Sequence, residues 1–134
     1  MSKTLMDRCA VMEECYEFML AYAAQGLTGD SGGGRSGAIR DFLQRGIDAV
    51  SGMAAEYEAA GSGPEHGAFR EVLERDARDT LAAMKLVLAQ PVISSQLIDN
   101  LNASIHLRAL LTDLFLIDEV FKSCANSTQS HPSL

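Results

Sequence analysis

The chain has 134 residues, 47% of them apolar and 22% charged, with 11 basic and 18 acidic side chains and a formal charge of -7. That length suits one hydrophobic core; the composition is too apolar for a disordered chain, and the acidity repels phosphate backbones, so nucleic acid is excluded as a partner. Trp is absent and there are only 5 Phe and 3 Tyr, while Ala, Leu and Met supply much of the apolar content, which favours helix over strand.

No apolar run reaches the ~18–20 residues of a membrane span, and no charged-then-apolar leader opens the chain, so no membrane partner and a cytoplasmic location are expected. Cys9, Cys15 and Cys124 match no metal-binding or redox spacing and read as reduced thiols. No cofactor is expected.

In chain order, a first helix is predicted over 3–25, where Leu5, Cys9, Met12, Tyr16, Met19 and Ala23 recur at three- and four-residue steps and Gly26 stops the pattern. A long polar loop, rich in Gly, Ser and Asp, follows to Gly37 and reads as a flexible linker. The second helix, over 36–60, sets Ile39, Leu43, Ile47, Val50 and Tyr57 against Arg40, Asp41, Gln44, Arg45 and Asp48 on its other side. Within its apolar stripe, Gly46 marks either a close helix approach or a tolerated defect.

Gly61-Ser62-Gly63-Pro64 predicts a tight hairpin into a third helix over 64–89. Gln90-Pro91 ends that helix, and Ser94 or Ser95 caps a fourth that runs to about residue 124. The fold expected is all-α, an antiparallel up-down-up-down four-helix bundle over residues 1–126, with a long Gly-rich loop between helices 1 and 2 and a frayed tail at 127–134.

The first and last helices carry more apolar circumference than a bundle interior uses. Val11, Cys15, Phe18 and Tyr22 form a second apolar line on the first, and Leu110, Leu111, Leu114, Phe115, Leu116, Val120 and Phe121 surround the fourth. Those two helices are neighbours in an up-down-up-down bundle. Their merged surplus, Val11, Cys15, Phe18, Tyr22, Leu111, Leu114, Phe115 and Phe121, is the expected interface of a homodimer or of a contact with another protein, with an irregular bundle that uses the extra face internally as the alternative. Oxidative joining of Cys9 to Cys124 is conceivable in that arrangement, but packed thiols are the simpler reading.

Chemistry is sparse. Gly33, Gly34, Arg35 and Ser36 at the start of the second helix, with Arg40 nearby, form a weak candidate anion site, although the β-strand that precedes a phosphate-cradling loop is missing. His106 shares a helix stripe with Asp99 and Asp113 and is a candidate metal ligand with them, yet the chain lacks the Glu-x-x-His pattern of di-iron bundles. A small acidic bundle with a histidine also suits phosphate relay through His106. Histidine phosphotransfer domains place Lys and Gly three and four residues after the histidine, where this chain has Ala109 and Leu110. His66, in the first turn of the third helix, and His131, in the tail, suggest no site. The expected function is non-enzymatic: a homodimeric interaction, adaptor or regulatory module, with a small-ligand or metal-binding bundle and a phosphate relay as alternatives.

Overall fold

The structure, a computed structural model, describes residues 3–32 and 34–130, without the side chains of 3, 35 and 123–130. Helices α1 (Lys3–Ala24), α2 (Gly34–Ser51), α3 (Met53–Ala60), α4 (Pro64–Leu88), α5 (Ser95–Ala103) and α6 (Ile105–Ser130) account for most of it, and no strand occurs among the described residues. Since α3 continues α2 after one residue, five helices pack together, in place of a strict four-helix bundle. The last helix extends to Ser130 rather than ending near 124. Residues 131–134 of the expected tail, His131 among them, lie outside the described residues, as do the side chain of Cys124 and with it any link to Cys9.

Two breaks separate the observed fold from the expected one. At Gly52 the α2 ladder stops, and the guanidinium of Arg8 on α1 donates through Nη1 to the freed carbonyls of Asp48 (2.9 Å) and Ala49 (3.1 Å). At Ser104 the backbone is extended (φ -64°, ψ 144°). The Ser104 amide and hydroxyl both donate to the Leu101 carbonyl, and its Oγ accepts from the amide of Leu107, so one residue ends α5 and caps α6.

These breaks redistribute the neighbours. α1 packs against α2 and α5, α2 and α3 against α4, and α4 against α6, so the contact expected between the first and fourth helices is made by α5, the first part of that fourth helix, while α6 lies mainly on α4. The neighbours run antiparallel: Phe18 stacks on Phe42 while Arg8 meets Asp48, and Thr80 bonds the His106 carbonyl while His66 stacks on Phe121. Met12 and Met19 of α1, Leu43 of α2, Leu73 and Met84 of α4, Ile98 of α5 and Leu110 of α6 meet in one core with no exposure. Gly46 marks a close approach: a Cβ there would stand 2.7 Å from the Met84 methyl and 3.6 Å from both Cys15 Sγ and Met12 Sδ.

Where the sequence suggests a flexible linker, the first half of the Gly-rich loop is tied down at Leu27 and Asp30. Leu27 exchanges hydrogen bonds with Ser95, whose hydroxyl also donates to the Tyr22 carbonyl. Arg40 holds Asp30 through Nε and donates through its other nitrogens to the carbonyls of Leu88, the last residue of α4, and of Gln90 and Pro91 just past it. Asp30 completes the knot by accepting from the amide of Ile93 at 2.9 Å. The Arg40 hydrogen bond, helped by the Ile93 amide, holds the Asp30 carboxyl below its ordinary value of 3.8.

Because that shift is downward, the knot contributes stability above the unfolded-state value and loses it as the pH falls through the lower folded-state value. Replacing Arg40 by Leu strands several acceptors and should cost about 2–3 kcal/mol, moderated because Arg40 is partly in water. Arg40→Lys should recover only part of this, since an ammonium cannot span the four oxygens. Urea unfolding at pH 7 measures both, and Asp30→Asn should remove the acid-side dependence below about pH 4.

Candidate functional site

The expected interface residues divide in the structure. Cys15 and Tyr22 have no exposure, and Leu111 and Leu114 are buried in the same chain's core, so these four are corrected from partner-facing to interior. Their places are specific. Cys15 Sγ donates to the Phe42 carbonyl, Tyr22 donates to the Ile93 carbonyl at 2.6 Å, and Phe18 stacks on Phe42 with ring centroids 4.0 Å apart. Val11 is half-buried beside Arg8 and Arg45. The second apolar line of α1 is therefore consumed mostly by α2 and the α4–α5 connection. Phe115, 58% exposed, is the member of the set that stays in water, and Leu116 and Val120 on the same helix are 51% and 44% exposed.

Phe121 belongs to an aromatic corner at the end of the molecule opposite the Arg40 knot. The hairpin from α3 to α4 brings Tyr57 and His66 together, with the Tyr57 hydroxyl 2.6 Å from His66 Nδ1. Phe69 and Phe121 both stand edge-on to Tyr57, with centroids 6.0 and 6.1 Å away at 68° and 72°, and Phe121 stacks on His66 at 5.7 Å. Leu116, Ile117 and Val120 of α6 and Glu65 of α4 complete the walls of an open pocket of about 220 Å³. Only glycine fits at the turn: a Cβ on Gly61 would lie 2.7 Å from His66 Nδ1, and Gly63 adopts φ +99°.

Sequence reasoning sets His66 aside and uses Tyr57 only as a core residue. A signal exists, since the two residues lie almost symmetrically about the predicted Gly61–Gly63 turn and an antiparallel hairpin must pair them. Phe121 cannot be matched to them without the helix register.

The candidate metal ligands are not gathered. Asp99 and His106 are exposed on α5 and α6, Asp113 is buried against α4, and no group of three ligand-type side chains forms among the described residues. Leu110, one turn after His106, is buried in the core and does not cover the imidazole. Of the candidate anion site, Gly33 and the Arg35 side chain lie outside the described residues, while Gly34 opens α2 at φ +57° beside a half-buried Ser36. Arg40, expected to help hold an anion there, is committed to Asp30 and the end of α4.

Both described thiols are inert by position. Burial foremost raises Cys9 and Cys15 to about 11, with Glu13 and Asp118 adding at Cys9 and the Arg45 charge opposing the rise at Cys15 ahead of Glu14 and Asp41, so neither is a thiolate near neutral pH. Asp113 is more unusual. It is only 7% exposed between α6 and α4, its Oδ2 meets no hydrogen-bond partner among the described residues, and Asp76 of α4 faces it. Burial foremost, then the hydrogen bond with Asp76 and its charge, pushes Asp113 up to about 8.

The folded Asp113–Asp76 pair thus holds a proton to higher pH than the unfolded chain, which releases it near the ordinary 3.8, so the pair's contribution to stability falls as the pH rises from there through the raised folded-state value. Asp113→Asn should raise stability at pH 8 by about 1–3 kcal/mol and flatten the dependence between pH 5 and 8, as read from urea midpoints at both values. An unchanged slope would remove Asp113 as its source.

No family model, no curated protein and no solved structure matches the chain.

Proposed function

We propose that the chain is a non-enzymatic interaction module that works as a homodimer in the cytoplasm, self-associating through the outward half of α6. The observation that carries this reading is the exposure of Phe115, Leu116 and Val120 on one helix beside an open apolar pocket. We also read the five helices as a four-rod up-down-up-down bundle whose second and fourth rods are broken at Gly52 and Ser104. On that reading α6 is an outer rod with a free flank. Most of the α1 residues expected at the interface are occupied internally, so α6 carries the contact without them.

A standard interface takes ~800 Å² from each partner, more than three side chains provide, so the contact extends from α6 onto the neighbouring start of α4. Glu119 lies between Leu116 and Val120 in sequence, and the chain carries a net charge of -7, so like charges oppose the approach. Salt should therefore strengthen association, by screening repulsion over a Debye length of ~10 Å at 0.1 M.

No helix among the described residues is long and apolar enough to cross a membrane, and a second copy is the cover this reading gives α6. Sedimentation equilibrium from low to high micromolar concentration should show a dimer for the natural chain and a monomer for Leu116→Glu, with unchanged far-ultraviolet circular dichroism. A natural chain that stays monomeric across that range, or a Leu116→Glu variant that dimerises equally well, refutes the proposal.

A further inference from the structure

We propose that the pocket between α3, α4 and α6 binds a small uncharged molecule: an apolar body of about one ring, carrying a single hydrogen-bond acceptor held by His66. This goes beyond self-association: Leu116 and Val120 are shared with the proposed dimer contact, but Phe115 takes no part in the pocket and the ligand needs no second copy.

Size sets the first limit. At about 220 Å³ the pocket is smaller than the ~300–1,000 Å³ that encloses drug-sized ligands, so one ring with a short substituent fills it. The walls set the second. Leu116, Ile117 and Val120 make an aliphatic side, and Phe69 and Phe121 stand edge-on to Tyr57, a corner whose perpendicular rings suit the edge-to-face contacts that aromatic groups favour.

The polar group follows from hydrogen-bond chemistry. An imidazole nitrogen is a stronger acceptor than a phenol oxygen, so across the 2.6 Å contact the Tyr57 hydroxyl donates to His66 Nδ1. Burial raises the Tyr57 hydroxyl, which keeps that proton in place. In the tautomer that accepts this proton on Nδ1 the ring keeps an N–H at Nε2, and His66 lines the pocket, so that N–H is assigned to the occupant. A carbonyl, ether or hydroxyl oxygen on the occupant satisfies it.

Charge disfavours one ionic competitor and hydrogen-bond chemistry the other. Glu65 on the pocket wall and the net charge of -7 disfavour a carboxylate, while an ammonium group offers no acceptor to the Nε2–H. The turn is shaped to hold the imidazole here, since any side chain at Gly61 would strike it.

The test is calorimetric and saturation-transfer titration of the full chain, at a concentration where sedimentation shows one species, with acetophenone, ethylbenzene, phenylacetate and phenethylamine as probes. Acetophenone should bind saturably and on the order of tenfold tighter than the other three, the value of one hydrogen bond of about 1.4 kcal/mol. Val120→Trp, which fills the mouth, should abolish binding. His66→Phe should retain ethylbenzene and lose the preference for acetophenone. Absence of saturable binding, equal affinity for phenylacetate, or binding that survives Val120→Trp overturns the proposal, and the ranking of the four probes on the natural chain decides it should either variant fail to fold.

Discussion

The extended backbone at Ser104 is the constraint from which the rest of the arrangement follows. The break at Ser104 divides the last rod into α5, which packs mainly on α1, and α6, which packs mainly on α4. By ending α5 and restarting α6, Ser104 lets α5 lie against α1, where Asn102 donates to the Met19 carbonyl and Ser95 to that of Tyr22. The wide apolar circumference of α1 is thereby covered by two helices of the same chain. What remains uncovered is displaced to α6, whose outward half faces no helix. A single serine that satisfies the ends of two helices at once makes the break inexpensive, because the carbonyl and amide it frees are the ones it pairs.

A comparable economy governs the Gly52 break and the end of α4. In each case an arginine from another helix donates to carbonyls that a helix terminus leaves open: Arg8 to Asp48 and Ala49, Arg40 to Leu88, Gln90 and Pro91. Long-range arginine caps of this kind do two things together. They satisfy backbone acceptors, and they fix how one helix end sits against another, and Asp30 ties its part of the loop to the same network.

The amphipathic segments are legible in the sequence because apolar period and glycine or proline punctuation agree there: Gly26 ends α1 with a positive φ, and Gly63-Pro64 opens α4. The breaks are not. Apolar spacing passes through Gly52 and Ser104 without a visible interruption, and what stabilises each break is a side chain or hydroxyl bond that a one-dimensional pattern does not carry. Arg40 illustrates the same limit. On the helical wheel it is simply a polar-face residue, and its partners are 10, 48, 50 and 51 positions away. The surplus on α1 escapes a sequence reading for a related reason: circumference can be counted from sequence, but which neighbour covers it depends on the break at Ser104. Phe115 stays in water because α6 has apolar side chains on more sides than it has neighbours.

The two ends of the molecule are built from different forces, and that difference bears on where function can sit. Around Arg40 and Asp30, charged and backbone hydrogen bonds converge from the loop, α2 and the α4–α5 connection, and any opening there would expose several unpaired groups together. Around Tyr57 and His66, rings meet rings, one hydrogen bond joins the pair, and the apolar wall is open to water. Ring contacts are less directional and break in smaller steps than a charged network, so local opening requires less free energy at this end. A chain that must admit a guest or a partner without unfolding has reason to keep such a surface at the end its polar network leaves free.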